Sequence, residues 1–343
     1  MSAPEPRTVA DREPLLRIQN LAVDFSTSAG VVHAVRDVSL SIQPGQTLAI
    51  LGESGSGKSV SALTVMGLLP NPAGSVVGGS IQFEGRQLVG MTEDDQRAIR
   101  GTRIGMIFQD PLSSLNPVFT VGAQIDEMFR SHLGVSKKEA RRRTIELIDR
   151  VRIDRAGERA NDYPHQFSGG MRQRIMIAMA IALKPSLLIA DEPTTALDVT
   201  VQARIIDLLT ELRDEEHMSL LFITHDLGVV APLAEHVAVM YAGRIVETGP
   251  IQDVYEHPRH PYTAGLMGSL PTLSSHHDRL QPIPGNPPNM LHLPPGCAFA
   301  PRCAFRQARC QTAVPPLTEA RPHHLDACIR SEEIHSQLQE IVR

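Results

Sequence analysis

A glycine-rich segment directly after a short apolar run constrains the fold more than any other feature of this sequence. The apolar run Thr47–Leu51 is typical of a strand, and the stretch SVSALTVMGLL that begins at Ser59 is typical of a helix. The intervening segment matches the pattern G-x-x-x-x-G-K-[ST] and consists of Gly52, Glu53, Ser54, Gly55, Ser56, Gly57, Lys58 and Ser59. A strand, a glycine loop and a helix in this order present a row of backbone N–H groups that binds phosphate.

Residues 52–59 are called the phosphate loop below. Its glycines allow the backbone to wrap closely around a polyphosphate, and Lys58 is expected to reach the β and γ phosphates. The hydroxyl of Ser59 is expected to be a Mg²⁺ ligand. A chance glycine-rich turn is the alternative, but the flanking strand and helix count against it. The sequence therefore predicts an α/β fold built around a phosphate site.

A second candidate element is an apolar run that ends in two carboxylates, LLIADE at residues 187–192. Neighbouring side chains of an extended chain point to opposite sides, so the two acids can serve different purposes. Asp191 is expected to face Mg²⁺, and Glu192 is expected to face an attacking water. Alone, such a run is more simply a capped strand end, but beside the phosphate loop it indicates a hydrolytic site.

Composition excludes several other classes of protein. The chain has 343 residues, 42% of them apolar, and a formal charge of −5, which fits a globular protein of two or three domains and not a nucleic-acid binder. Its aromatic content of 4%, with no tryptophan, also leaves few stacking platforms for single strands. The longest apolar stretch, residues 175–183, is too short to cross a bilayer, and the first residues contain no apolar signal region. We therefore expect a cytoplasmic location.

Three parts are predicted along the chain: a tail at 1–13, an α/β domain at 14–250, and an extension at 251–343. In the second part, apolar runs typical of strands alternate with helical stretches; they lie at 15–25, 47–51, 103–108, 186–191, 219–224 and 237–241. Residues of about 110–180 are mostly helical in pattern, which suggests a helical insertion. Prolines, histidines and all four cysteines concentrate after residue 249, and this change in composition marks the last boundary.

Further motifs carry a resemblance to a known family. They are Gln109 in the run FQDP, the segment FSGGMRQR that contains Ser168, Gly169 and Gly170, Asp198 in the run ALD, and His225 after the strand LLFIT. Together with the phosphate loop, these motifs resemble the ATP-binding cassette (ABC) ATPase family over roughly residues 14–250. The Ser-Gly-Gly segment discriminates this family from other proteins that contain a phosphate loop.

The resemblance implies a P-loop NTPase with a RecA-like core and a helical subdomain, which binds ATP and Mg²⁺ and hydrolyses ATP. It implies a head-to-tail pair of cassettes, in which each Ser168–Gly169–Gly170 segment closes over the γ-phosphate held by the other subunit, with Asp198 at the seam. Glu192 would be the general base, and His225 would hold the γ-phosphate. The resemblance also implies roles for Gln109 and Phe25.

By the same resemblance, Gln109 would contact Mg²⁺ and the attacking water and would couple the site to a membrane subunit. An aromatic side chain usually stacks on adenine upstream of the loop in this family. Phe25 is the candidate here, and a plain core position for Phe25 is the alternative.

Three other runs resemble the peptide-importer branch of the family: SGGMRQR with Met171, FQDPLSSLNP, and HPRHPYT at 257–263. This resemblance implies a peripheral ATPase subunit on the cytoplasmic face of the inner membrane, which serves a dipeptide or oligopeptide importer. Its partners would be a second, related ATPase subunit, two transmembrane permease subunits and, indirectly, an extracytoplasmic peptide-binding protein. Nickel, heme precursors or glutathione are alternative cargoes, and a soluble ABC ATPase outside transport is the alternative of a different class.

The four cysteines Cys297, Cys303, Cys310 and Cys328 have the spacing C-x5-C-x6-C-x17-C. Disulfides are disfavoured in a reducing compartment, and unconnected thiols poorly explain why the cysteines are clustered. A metal site is the third reading, with either zinc or an iron–sulfur cluster, and the absence of C-x2-C knuckles favours iron–sulfur. Resemblance to the dipeptide importer ATPase subunits implies a [4Fe–4S] cluster, with Zn²⁺ as the alternative and a structural or redox-sensing role.

Overall fold

The computed structural model describes residues 13–195, 197–269 and 282–342. The tail predicted at 1–13 therefore lies outside the described residues, apart from Glu13. Within the described residues, no helix combines the length and the apolar character that a membrane span requires.

The strands of the described residues are β1 (Leu16–Thr27), β2 (Gly30–Ile42), β3 (Thr47–Leu51), β4 (Gly74–Phe83), β5 (Arg86–Gln87), β6 (Ile104–Ile107), β7 (Leu187–Asp191), β8 (Ser219–Thr224), β9 (His236–Tyr241), β10 (Arg244–Pro250), β11 (Thr318–Arg321) and β12 (His324–Asp326). The helices are α1 (Lys58–Val65), α2 (Glu93–Ile99), α3 (Pro111–Ser114), α4 (Val121–Leu133), α5 (Lys137–Arg150), α6 (Ala156–Arg159), α7 (Gly169–Ile181), α8 (Val199–Glu216), α9 (Leu227–Val230), α10 (Ile251–Glu256), α11 (Pro261–Gly268) and α12 (Ser331–Val342).

The strands form two sheets. The smaller sheet is antiparallel, with the order β2-β1-β4-β5, and the larger has the order β11-β12-β10-β9-β3-β8-β7-β6. Strands β9, β3, β8, β7 and β6 run parallel, so their carboxyl ends meet at one edge of the sheet. All six strands that the apolar runs predict are present. The other strands of the described residues were not predicted, namely β2, β4, β5, β10, β11 and β12, and of these β2 and β4 are half exposed with weaker apolar runs.

The parallel strands lie between two hydrophobic clusters, and this explains why they are apolar on both faces. In β7, Leu188 and Ala190 pack into one cluster, while Leu187 and Ile189 pack into the other. Alternation of side chains along a strand sends successive residues to opposite faces. The first cluster includes α7 and α8, and the second includes the small sheet and α1. The sheet edge that carries the phosphate loop is therefore held by packing on both sides.

Between β6 and β7 the chain is helical, from α3 to α7. Three of these helices begin with a hydroxyl side chain that accepts a hydrogen bond from the first turn: Thr120 caps α4, Ser136 caps α5 and Ser168 caps α7. Such caps satisfy backbone donors that a helix start leaves unpaired. The helical stretch expected at about 110–180 thus corresponds to a connection between two neighbouring parallel strands.

The extension after residue 250 is joined to the main sheet. Strand β12 pairs with β10, with Glu247 opposite Asp326 and Thr248 opposite Leu325. Tyr262 and Phe299, both in the extension, belong to the first hydrophobic cluster, and α11 packs with α12 around Ile334. The extension therefore shares its sheet and part of its core with the α/β domain.

Candidate functional site

The phosphate loop leaves β3 after Leu51 and enters α1 at Lys58. Gly57 is the N-cap of α1 with φ 102°, and a Cβ atom there would lie 2.6 Å from the carbonyl oxygen of Ala34. At Gly52 a Cβ would lie 2.2 Å from the carbonyl oxygen of Met240. Both positions therefore require glycine, because a side chain would collide with backbone. The pattern of the loop thus reflects close packing against β2 and β9.

The Lys58 side chain lies on the inner side of the phosphate loop and bonds to its backbone. Its side chain is 4% exposed, and Nζ donates hydrogen bonds to the carbonyl oxygens of Gly52 at 2.7 Å and Glu53 at 3.0 Å. Burial lowers the pKa of Lys58, while the neighbouring carboxylates Glu192 and Asp191 oppose that shift. An ammonium group held in the concave side of a glycine loop is placed to meet the negative charge of a bound phosphate.

Asp191 and Ser59 meet across the gap between β7 and α1. The Ser59 hydroxyl donates to Oδ1 of Asp191 at 2.9 Å. Burial raises the pKa of Asp191, and the hydrogen bond from Ser59 acts against this effect. A hydroxyl and a carboxylate side by side offer two oxygen donors, which are the kind that Mg²⁺ prefers.

Glu192 is the residue at which several elements converge. It follows β7 with a left-handed backbone, φ 46°, which non-glycine residues adopt uncommonly. Its Oε2 accepts from Gln109 Nε2 at 3.1 Å and from the Thr195 hydroxyl at 2.9 Å, and it lies 3.5 Å from Nδ1 of His225. Oε1 lies 3.9 Å from Nζ of Lys58.

The structure thus brings Lys58, Ser59, Gln109, Asp191, Glu192 and His225 together at the carboxyl edge of the parallel sheet. Ligands of open α/β sheets bind outside this edge. A carboxylate held beside a lysine, an amide and an imidazole can orient and deprotonate water next to a phosphate.

The Ser-Gly-Gly segment has a separate setting. The Ser168 hydroxyl accepts from the backbone N–H of Met171 at 3.4 Å, and Ser168 and Gly169 are exposed at the start of α7. A Cβ at Gly170 would lie 2.8 Å from Val201 Cγ1, so this glycine allows α7 and α8 to approach closely. None of the hydrogen bonds of the described residues joins this segment to the phosphate loop.

Two other predicted residues, Asp198 and Phe25, also have no hydrogen bond to the phosphate loop among the described residues. Asp198 is exposed and caps α8, where its Oδ1 accepts from the backbone N–H of Val201 at 3.0 Å. Phe25 lies in β1 opposite Val32 and Gly74, half-buried against the second cluster. The packing of Phe25 is that of a core residue, and its stacking on adenine stays a prediction.

Three residues that contact the site were not predicted. The Thr195 hydroxyl holds Glu192, Tyr262 accepts a hydrogen bond from the Glu53 backbone, and Arg302 pairs with the Glu53 carboxylate. Thr195 could have been found from its place three residues after Glu192. Tyr262 and Arg302 could not, because they lie 209 and 249 positions from Glu53 along the chain.

The four cysteines line one small cavity in the extension: Cys297, Cys303, Cys310 and Cys328. All are free thiols, and burial raises the pKa of Cys303 to about 11 and that of Cys328 to about 12. Across the described residues, no group of three or more His, Cys, Asp or Glu side chains is placed so that it could hold a metal ion. The expected cysteine cluster is therefore a shared cavity in this structure, and not a formed metal site.

Comparisons with known proteins agree with this geometry. A profile of the family described as "ABC transporter" matches residues 35–195, and one described as "Oligopeptide/dipeptide transporter, C-terminal region" matches residues 246–310. A putative peptide import ATP-binding protein of Brucella ovis is 51% identical over 94% of this chain and 99% of its own length. Another protein of the same description, from Brucella abortus, is 51% identical over 93% of this chain and 97% of its own length.

Solved structures show the same fold. A dimeric ATP-binding cassette in a post-hydrolysis state, bound to ADP and Pi, superposes with a TM-score of 0.62 at 26% identity, over 69% of this chain and 98% of that one. CbiO1 of Clostridium perfringens, part of the ABC transporter complex CbiONQ, has a TM-score of 0.60 at 27% identity over 71% of this chain and 91% of its own. With a phosphate loop, a hydrogen-bonded acidic site at the sheet edge and relatives along nearly its whole length, this chain belongs to the ABC transporter family as one of its ATP-hydrolysing, ATP-binding proteins.

Proposed function

We propose that this protein is the ATPase subunit of an importer for dipeptides or oligopeptides, and that it energises uptake across the cytoplasmic membrane. The observation that carries the ATPase part is the convergence of Lys58, Gln109 and His225 on the carboxylate of Glu192, next to the Ser59–Asp191 pair. The peptide cargo is supported by the match of residues 246–310 to the oligopeptide/dipeptide transporter C-terminal region and by the names of the Brucella relatives.

In the proposed mechanism the phosphate loop binds the triphosphate through its backbone N–H groups and Lys58. Ser59, Asp191 and Gln109 would hold Mg²⁺, which supplies charge neutralisation for the β and γ phosphates. Glu192 accepts a proton from the attacking water, and His225 contacts the γ-phosphate. The Thr195 hydroxyl, which donates to the Glu192 carboxylate, would keep that carboxylate oriented towards the water.

The exposed start of α7 supports a paired arrangement. Ser168, Gly169 and Gly170 lie at the positive end of a helix of 13 residues, where backbone N–H groups are placed to meet an anion from another molecule. We propose that this segment closes over the γ-phosphate of a second, related cassette, with Asp198 at the seam and Phe25 beside adenine. The pair would dock on two transmembrane permease subunits at the cytoplasmic face of the inner membrane, fed by an extracytoplasmic peptide-binding protein.

The test of the base is Glu192→Gln in the assembled transporter. The variant keeps the hydrogen bonds but cannot take a proton, so we expect MgATP binding to persist and turnover to fall about 100-fold or more. Glu211→Gln, an exposed carboxylate on α8, is the matched control and should hydrolyse ATP like the wild type. Wild-type turnover in Glu192→Gln would overturn the assignment.

Cargo is tested by uptake into vesicles that contain the complete transporter and its binding protein. We expect ATP-dependent accumulation of a labelled dipeptide or tripeptide, and competition by unlabelled peptides of other sequence. Saturable uptake of Ni²⁺, a heme precursor or glutathione, without peptide competition, would replace the peptide assignment while leaving the ATPase role in place.

For the cysteines we propose a [4Fe–4S] cluster with a structural or redox-sensing role, held by Cys297, Cys303, Cys310 and Cys328, with Zn²⁺ as the alternative. Support comes from the donor set, because four thiols are the ligands of such clusters, and from the single cavity that they share. Burial raises the pKa of the Cys297, Cys303 and Cys328 thiols, so a bound cation would have to supply the charge that stabilises their thiolates.

Metal analysis separates these possibilities. After anaerobic purification we expect about four iron and four sulfide per chain, with visible absorption that is lost when the cysteines are replaced by serine. A colourless protein with one zinc per chain would establish the zinc alternative. Absence of both metals would leave the cysteines as four free thiols.

A further inference from the structure

The second residue of the phosphate loop, Glu53, is held by the extension at two points. Its backbone N–H donates to the Tyr262 hydroxyl at 2.7 Å. Its carboxylate receives both terminal nitrogens of Arg302, Nη1 to Oε2 at 2.6 Å and Nη2 to Oε1 at 3.0 Å. Since Lys58 donates to its carbonyl, every polar group of Glu53 is engaged.

The two residues that hold Glu53 are themselves firmly placed. Tyr262 is 0% exposed, and the Arg302 side chain is 6% exposed. The Arg302 guanidinium lies 5.9 Å from the ring centroids of Tyr241 and Phe299, and its Nε donates to the Pro284 carbonyl at 2.9 Å. The centroids of the Tyr241 and Tyr262 rings are 4.5 Å apart. The buried guanidinium of Arg302 makes two hydrogen bonds to the Glu53 carboxylate while it rests against these rings. Such a bidentate pair is rigid and directional.

The charges give this contact a consequence for nucleotide. Glu53 places a carboxylate inside a loop whose expected ligand carries several negative charges. An unpaired carboxylate there would repel phosphate, and the repulsion is strong because the site is partly desolvated. Arg302 cancels this charge, and together with Tyr262 it limits the conformations of the loop before any ligand arrives.

On the basis of these contacts, and of the phosphate-binding role proposed above for the loop, we propose that Arg302 and Tyr262 are positioning residues of the ATP site. Through Glu53 they hold the phosphate loop in its binding shape and neutralise its only carboxylate. The extension would therefore set the affinity for ATP. Because Arg302 precedes Cys303 directly, the same contact joins the cysteine cavity to the nucleotide site.

The test measures the dissociation constant of a fluorescent ATP analogue with Mg²⁺ on the full-length chain, beside the kcat and KM of the assembled transporter. We expect Arg302→Met to weaken binding about tenfold to thirtyfold, with kcat at saturating ATP nearly unchanged. Arg302→Lys keeps the charge but loses the fork, so about threefold to fivefold is expected. Tyr262→Phe removes one hydroxyl and keeps the ring, and should cost about threefold to fivefold.

The double variant Glu53→Gln with Arg302→Met provides the decisive comparison. If repulsion by an unpaired Glu53 causes the loss, removing its charge restores binding to within about fivefold of the wild type. A purely structural role of Arg302 predicts no such recovery, since the arginine is missing from both variants. Unfolding temperatures of all variants show whether any loss comes from a damaged fold.

Two controls complete the design. Arg309→Met removes another arginine of the extension, an exposed one that pairs with Glu333 and, among the described residues, has no hydrogen bond to the phosphate loop, and this variant should bind ATP like the wild type. Lys58→Ala tests the loop itself: wild-type binding there would mean that the loop is not the ATP site, and the proposed function of the loop would fail. Loss of binding in Lys58→Ala, with wild-type binding in both Arg302→Met and Tyr262→Phe, would overturn the positioning role alone.

Discussion

The phosphate loop and the C-terminal extension are held in place by different kinds of interaction. In the loop, Gly52 and Gly57 lie so close to the backbone of β9 and β2 that neither position has room for a side chain. The extension, by contrast, is attached through one buried carboxylate of β10, that of Glu247. Glu247 accepts hydrogen bonds from the backbone of Arg259 at 2.7 Å and His260 at 2.9 Å, and its Oε1 lies 2.7 Å from His324 Nε2.

This difference indicates which kind of substitution should disrupt each region. A loop defined by close backbone approach has no room for an added atom at Gly52 or Gly57, even where side-chain contacts from Arg302 and Tyr262 also hold it. An extension attached through a fully buried polar group depends on that group, because its removal leaves several donors without partners. Three substitutions test the contrast.

The largest effect is expected at the joint between the two regions. Glu247→Ala leaves two backbone N–H groups and His324 unpaired in a buried setting, so the free energy of unfolding should fall by about 3–5 kcal/mol. Denaturant unfolding of the full chain measures this. Glu256→Ala, an exposed glutamate of α10, is the matched control and should change stability by less than about 0.5 kcal/mol. Equal stability of the two variants would show that the joint does not hold the extension.

The next effect concerns the loop. Gly57→Ala adds a Cβ only 2.6 Å from the Ala34 carbonyl oxygen at a φ of 102°, so the loop must shift and ATP affinity should fall by about 100-fold. Gly45→Ala has a φ of 78° but open space around the new atom, and should cost only stability, about 1 kcal/mol. Titration with an ATP analogue checks both variants. Unchanged affinity in Gly57→Ala would contradict the idea of a loop that admits no added atom.

The smallest effect is expected for a single side-chain bond in the site. Thr195→Ala removes the hydroxyl that donates to Glu192 at 2.9 Å, and we expect turnover to fall about fivefold with ATP binding unchanged. Thr210→Ala, where the hydroxyl bonds the Ile206 carbonyl of its own helix, serves as the control. A loss of 100-fold or more for Thr195→Ala would mean that the site depends on single bonds as strongly as the extension does.

Much of the site could be predicted because its chemistry is local. Residues 52–59 stand in one run after a strand, and Asp191 and Glu192 end another strand. The meeting of these acids with Gln109 and His225 follows from parallel strands, since their carboxyl ends share one edge. The resemblance to ABC ATPases named the last two residues, which spacing alone would not have singled out.

The rest of the site could not be predicted for a physical reason. Tyr262 and Arg302 reach Glu53 only because β12 joins the main sheet and the aromatic rings of the extension enter the core. Small sequence signals existed, since Tyr262 lies in the run HPRHPYT that indicated the branch and Arg302 directly precedes Cys303, but neither signal predicts a contact with the loop. The gathering of the cysteines around one cavity likewise depends on folding over a long separation.

Local order in the chain is therefore enough to predict the strand–loop–helix unit, the carboxylates proposed for catalysis and the family. These features depend on neighbouring residues, whose geometry the backbone imposes. Only the tertiary structure determines that the extension contacts the phosphate loop. Arg302 and Glu53 meet in a buried pair only after the extension has packed against the loop and water has left the space between them. Such a contact leaves no periodic trace in the sequence, since each partner is an ordinary charged residue until the fold buries it.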